Sequence, residues 1–380
     1  MRKQLTDLCT IQYGYAFDSE SFTTDNSFPP LVRIRDVKRG FSETFYSGDY
    51  PPEYVIHSGD LLVGMDGEFN IARWRSGDAL LNQRVCKISA TRGTDEEYLR
   101  FALQKALKEI EDRTAFVTVK HLSAKELNKL ELDIPDMGEQ ARIAQILCKL
   151  ERVISMREAE LSALDDLIKA RFVEMFGDPV ANTLEWKTAL LREVTSKIGS
   201  GATPRGGKES YQAEGITLIR SMNVHDGRFE YKDLAHITDE QAAQLNNVSV
   251  EEGDVFINIT GASVARSCIV PKDTLPARVN QHVAIIRCVR NLLNPTFANN
   301  MFLNDRFKEQ LLDIGESGGA TRQAITKQQL EGLTVILPPM NQQEEFAAFV
   351  AQIDKSKSVI QKSLDETQLL FDSLMQQYFG

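Results

Sequence analysis

The stretch IPDMGEQARI at residues 134–143 returns 203 positions later as LPPMNQQEEF at residues 337–346. Each copy leads into a run without glycine or proline that lasts to Phe176 or Phe379. Proline breakers followed by Asp136-x-x-Glu139 and by Asn341-x-x-Glu344 predict two capped helix starts. Beyond them the apolar positions alternate in steps of three and four, the spacing of a coiled-coil seam. They are Leu147, Leu150, Ile154, Leu161, Leu164 and Ile168 in the first run, with Arg157 interrupting, and Val350, Ile353, Ile360, Leu364 and Phe371 in the second. Forty helical residues span about 60 Å. So long and narrow a stripe needs a partner, and the repeat supplies one, so the two helices are expected to pair antiparallel within the chain.

Working outward, the repeat extends over the whole sequence. Leu31–Val37 parallels Leu218–Val224 at an offset of 187, with Arg33 on Arg220 and Gly40 on Gly227. Gly59-Asp60 parallels Gly253-Asp254 at 194, and Asn82-Gln83 parallels Asn280-Gln281 at 198. An offset that grows in small steps means loop insertions, which surface loops tolerate at low entropic cost. The predicted layout is a first domain over 1–134, a helix over 135–178, a second domain over 179–337 and a helix over 338–380. Short apolar runs such as LVRIRDV, GDLLVGM, TLIRSMNV and GDVFINITG, bounded by Gly, Asp and Asn, read as strands. Segments near 96–112 and 295–314 read as helices. The expected fold is mixed α/β: two domains with irregular, mainly antiparallel sheets, joined by two long antiparallel helices around a pseudo-two-fold axis.

Composition excludes several classes. With 42% hydrophobic and 26% charged residues, the chain is an ordinary globular one, long enough for two or three cores. No apolar run reaches the roughly 18 residues of a membrane span, and the N-terminus lacks a signal-peptide core, so a cytoplasmic protein without membrane partners is expected. The five cysteines form no C-x-x-C pair and the five histidines show no ligand spacing, which predicts reduced thiols and neither metal nor cofactor. The net charge of −10 requires that any basic face be local.

The ordered repeat, the stretch Ser200-Gly201-Ala202-Thr203-Pro204 and the entries Ile134-Pro135-x-x-x-Glu139-Gln140 and Leu337-Pro338-Pro339-x-x-Gln342-Gln343 together resemble the specificity subunits of Type I restriction-modification systems. The resemblance covers the entire length. Two departures stand out: Gln12-Tyr13-Gly14-Tyr15-Ala16-Phe17 replaces Ser-Gly-x-Thr-Pro in the first domain, and the second helix has Gln-Gln where the family favours Glu-Gln. The resemblance implies that each domain reads one half of a bipartite target in double-stranded DNA. It also implies that the helices set the spacer and bind two methyltransferase subunits, to which restriction subunits add.

Catalytic chemistry has no counterpart in the residues. Asn294-Pro295-Thr296-Phe297 is the nearest string to an adenine-methylation loop and reads as a helix entry. Gly206-Gly207-Lys208 lacks the first glycine of a phosphate loop, and Glu185-Trp186-Lys187 is half a nuclease motif without its aspartate. A non-catalytic subunit is expected. Base and phosphate readers need Arg, Lys, Asn or Gln on loops. The candidates are Arg35, Lys38, Arg39, Arg73, Trp74 and Arg75 in the first domain, and Arg205, Lys208, Asn223, Arg228 and Arg266 in the second. Each is weighed against an ordinary solvated charge, and Trp74 against a place in the core. Arg33 and Arg220, and the two Asn-Gln pairs, are expected to share structural roles. The competing readings are a recognition fragment of a fused restriction-methylation enzyme and a coiled-coil scaffold without DNA.

Overall fold

A computed structural model of the chain describes residues 1–113, 121–204, 206–316 and 323–380. It divides into two compact units, one of Met1–Glu158 with Lys362–Gly380, the other of Ala159–Gln361.

The first unit carries a four-stranded antiparallel sheet in the order Cys9–Tyr13, Val85–Ala90, Leu61–Gly64, Ile71–Arg73. The second repeats it with Thr195–Ser200, Val283–Cys288, Val255–Asn258 and Ser267–Ile269. The apolar runs in these strands are continuous because both faces are covered. Leu61 and Val63 face one core while Leu62 faces another with Val32, Ile56 and Trp74, and Val255 and Ile257 are likewise divided from Phe256.

Each unit adds a small sheet built on a parallel pair, Leu31–Val32 with Ala79–Leu81 and Ile216–Ile219 with Ala277–Val279. The third strand differs: Val55–Ile56 joins the later member in one unit, Ala235–Ile237 the earlier member in the other. In both, an N-terminal strand pairs with the strand just before a long helix, Arg2–Gln4 with Glu131–Asp133 and Lys187–Leu190 with Thr334–Leu337. Helices Glu96–Arg113 in one unit, and Pro295–Leu303 and Asp305–Glu316 in the other, follow the strands Val85–Ala90 and Val283–Cys288.

The long helices run over Met137–Phe176 and Met340–Phe379, and each contributes one half to each unit. In the first unit Ile143 and Leu147 share a core with Phe371 and Met375, and the Arg142 guanidinium lies 5.9 Å from the Tyr378 ring centre. In the second, Ile168, Phe172 and Phe176 share a core with Phe346, Val350 and Ile353. There Asp165 pairs with Lys357, and Arg171 with Glu345 at 3.2 Å, so one number rises as the other falls and the halves run antiparallel. None of the eleven predicted seam positions is exposed, from Leu147 at 0% to partly buried Leu150, Ile154, Leu161, Leu164 and Leu364. Many also pack against the sheet domains, so seam and domain core are one surface.

Three local expectations fail. LVRIRDV is a strand only at Leu31–Val32, and TLIRSMNV is broken between Ile219 and Val224 by a 3-10 turn over Ser221–Asn223. Ile34–Arg39 is a helix, entered where the buried Asp36 carboxylate accepts the Arg33 N–H at 2.9 Å and ended by Gly40 in the left-handed region (φ +76°). The second long helix begins one residue after Pro339, whose carbonyl accepts the Gln342 and Gln343 amides, so Asn341 sits in its first turn and does not cap it. Asp136 does cap the first, accepting the Glu139 N–H at 3.0 Å.

Candidate nucleic-acid interface

The duplicated motifs turn out to build duplicated anchors. Gly14 and Gly201 lie against a crossing backbone: a Cβ would stand 2.0 Å from the Asn82 carbonyl oxygen in one case and 1.7 Å from that of Val279 in the other. Only glycine fits, which is why YGY and SGA share that residue and little else. Asn82 and Asn280 hold the turn beside it, their carbonyls accepting the Val85 and Val283 amides.

Asp36 and Asn223, 187 positions apart, are both 0% exposed and do the same work. Asn223 Oδ1 accepts the Arg220 N–H at 3.1 Å, and its Nδ2 donates to the Glu230 carbonyl at 2.9 Å. Asp60 and Asp254 accept the amides of His57 and Glu251, and each receives a cation from the neighbouring strand, Lys87 at 3.1 Å and Arg287 at 2.8 Å. Gln140 and Gln343, each 1% exposed, tie a long helix to its domain. Gln140 accepts the Asp95 amide at 2.8 Å and donates to the Pro135 carbonyl at 2.9 Å; Gln343 accepts the Asn294 amide at 2.9 Å and donates to that of Pro338 at 2.8 Å. The departure at Glu139 and Gln342 falls one position earlier, outside this network.

Against this frame the predicted readers separate. Arg35, Lys38, Arg39 and Arg75 stay exposed around the short helix and Gly40, Lys38 beside Glu68 at 3.3 Å and Arg39 beside Glu43 at 3.1 Å. Arg228 is exposed near Glu230, and Arg266 is half-buried with Nη1 3.5 Å from His225 Nδ1. Two candidates are corrected. Trp74 is 1% exposed and donates its indole N–H to the Gly77 carbonyl at 2.7 Å, and Asn223 is the buried anchor just described, so neither side chain is presented at the surface. Arg73 is engaged internally, with Glu97 at 2.5 Å and Glu96 at 2.9 Å. Arg205 and the Lys208 side chain lie outside the described residues. Arg33 is exposed, and Arg220 donates to the Asp233 carbonyl; neither pairs with a carboxylate among the described residues.

The structure also brings together residues that, Arg266 apart, were not among the candidate readers. In the first unit Asp66 pairs with Arg84 at 3.5 Å and with His121, and Arg84 Nη1 stands 3.2 Å from His121 Nδ1. In the second, Met222, Thr260, Arg266, His282 and Gln323 line a concavity of about 610 Å³. Both clusters sit at an isolated strand bridge, Asp66 to His121 and Thr260 to Ala324. The signal available in the sequence was the repeat itself, since Arg84 and His282 each follow an Asn-Gln pair.

The buried thiols take no part. Burial pushes Cys9, Cys86, Cys268 and Cys288 up to about 12. No group of three or more His, Cys, Asp or Glu among the described residues is placed to hold a metal ion, and no helix there is long and apolar enough to cross a membrane.

Comparison with known proteins finds the Type I restriction modification DNA specificity domain over residues 1–165 and again over 183–367. The chain is 28% identical to the Type I restriction enzyme EcoBI specificity subunit of Escherichia coli, covering 99% of this chain and 84% of that one. It is 18% identical to the MjaVIII specificity subunit of Methanocaldococcus jannaschii, over 83% and 77%. Among solved structures, the S subunit of a Type I restriction-modification system from M. genitalium matches 100% of this chain and 96% of its own with a TM-score of 0.60 at 14% identity, a likeness of fold.

Proposed function

Since the chain belongs to the Type I restriction modification DNA specificity family, carries its domain twice and is a subunit that recognises DNA targets, we propose that each copy reads one half of a bipartite site. The observation that carries this is that each matched copy sits on a unit with its own sheets, core and anchors, so that two readers share one chain. The subunit is non-catalytic and works in the cytoplasm. The two long helices set the spacer between the half-sites and dock two methyltransferase subunits, through which restriction subunits join. The outward helix faces support that docking: Val153, Met156, Leu369 and Leu370 in the first unit, and Leu167, Val173 and Val359 in the second, are exposed apolar side chains on faces made mainly of small, polar and charged residues.

The acidic net charge fits a protein that holds DNA through local cations and shares phosphate neutralisation with its partners. The test is methylation of host DNA with and without this gene, read by base-resolution sequencing. A split motif that disappears on deletion supports the reading. A continuous motif, or none, removes the bipartite assignment.

A further inference from the structure

The two units repeat a scaffold but not the side chains that stand on it. At Gly14/Gly201, Asp60/Asp254, Asn82/Asn280 and Gln140/Gln343 the residue is the same in both, and each is in contact with the backbone that it supports. At three positions the identity changes while the backbone place does not. Arg35 and Met222 immediately precede the buried Asp36 and Asn223, Asp66 and Thr260 form the isolated bridge, and Arg84 and His282 follow the Asn-Gln turn. Two domains that read different bases from one scaffold must differ where side chains meet DNA and agree where they hold the frame.

We propose that these bridge clusters are the base-reading centres, Asp66–Arg84–His121 in the first unit and Met222–Thr260–His282 in the second, and that their ligands are base-pair edges in the major groove. The proposal rests on the reading that the chain recognises DNA targets. In the first unit the Asp66 carboxylate, mostly covered, orients two half-exposed donors, Arg84 and His121. A guanidinium held on one side by a carboxylate keeps its remaining N–H groups in a fixed fork, the geometry that meets O6 and N7 of guanine.

The second centre has a different chemistry. His282 Nδ1 lies 2.5 Å from Thr260 Oγ1, and its Nε2 lies 3.1 Å from Gln281 Nε2, whose carbonyl oxygen accepts from Thr203. Gln281 therefore donates to Nε2, and the Nδ1–H donates to Thr260, leaving the threonine hydroxyl free to donate outward. Met222 stands beside this chain on the same concavity with 45% of its surface exposed. An exposed thioether next to an oriented hydroxyl suits an A·T pair, with the apolar group on the thymine methyl and the hydroxyl on an acceptor of the same pair. The first unit thus takes a guanine and the second an A·T pair.

The experiment uses the full chain co-expressed with its methyltransferase subunits and a plasmid library randomised one position at a time across the wild-type target. Arg84→Lys keeps the charge and loses the fork. It should relax one guanine position in one half-site by roughly tenfold or more and leave the other half-site unchanged. Met222→Ala and His282→Ala should relax one A·T position in the other half. Arg84 and Met222 are exposed and His282 is half-buried, and equal melting temperatures check that each variant folds. Discrimination at every position unchanged in Arg84→Lys and His282→Ala overturns the proposal, as does a uniform loss across all sequences, which marks phosphate contact. A wild-type complex without any sequence preference would instead remove the reading on which the proposal rests.

Discussion

At Gln140 and Gln343 one amide joins a long helix to its domain by accepting one backbone N–H and donating to a carbonyl at the helix entry. A buried polar group left without its partner costs about 1 to 3 kcal/mol. Gln343→Leu strands the Asn294 amide and the Pro338 carbonyl, and the second unit should lose about 2 to 4 kcal/mol in urea unfolding. Gln342→Glu, which gives the second helix the residue that the first has at Glu139, should leave stability within about 0.5 kcal/mol. The reverse order would mean that the motif is read by a partner and not by the fold. That Gln140 and Gln343 matter was legible as repetition; that they point inward was not, because helix phase at a terminus depends on where the first turn starts, and Pro339 sets it. Trp74 and Asn223 were illegible for a related reason. Tryptophan and asparagine suit both a base and a buried hydrogen bond, and only the turn at Gly77 and the loop carbonyl at Glu230 decide between them.

Among the elements, the helix Glu96–Arg113 and the first half of Met137–Phe176 are joined by ions. Arg100 lies 2.7 Å from Glu97 and 2.6 Å from Glu151, and Glu97 also takes Arg73. The second unit has no such network at the equivalent positions: Ile269, Thr296, Asn299 and Asp354 line a cleft of about 460 Å³ there. Burial alone would raise Glu97, but the Arg100 and Arg73 guanidiniums outweigh it and hold the carboxyl below its ordinary 4.5. With the folded pKa below the unfolded one, this stabilisation is complete above pH 4.5 and is lost as pH falls through the lower folded value. Burial raises Asp354, which acts in the opposite sense in the second unit. Trp74 reports on the first unit and Trp186 on the second, so single-tryptophan variants can follow each in urea. Between pH 6 and pH 3.5 the first unit should lose more of its midpoint than the second, and Arg100→Met should lower the pH 6 midpoint and flatten the acid limb. Equal acid limbs in the wild type would show that the network contributes nothing. At this scale the sequence was most readable: sheet strands, helices and repeat order follow from punctuation and spacing. The exceptions are Ile34–Arg39 and Ser221–Asn223, and the first carried helix signals in Asp36 and Gly40 that the apolar alternation of LVRIRDV masked.

For the whole molecule, the halves of each long helix belong to different units, so the lengths of both helices are properties that the two units share. If these helices set the spacer, as proposed, lengthening one alone disrupts the pairing, whereas lengthening both in step preserves it. Seven residues restore the phase of a three-and-four seam and add about 10.5 Å, close to three base pairs at about 3.4 Å each. Matched heptads placed after Glu158 and after Gln361, where each helix passes from one unit to the other, should therefore yield a complex that methylates the same two half-sites across a spacer about three base pairs longer. Because each unit keeps its own strands, anchors and bridge cluster, the bases of neither half should change. Methylome sequencing of cells carrying the lengthened chain reads spacer and half-sites in one measurement. An unchanged spacer would show that the gap is set elsewhere in the complex. Altered half-site bases would show that recognition depends on how the units are held, and would end the view of two independent readers on a common ruler.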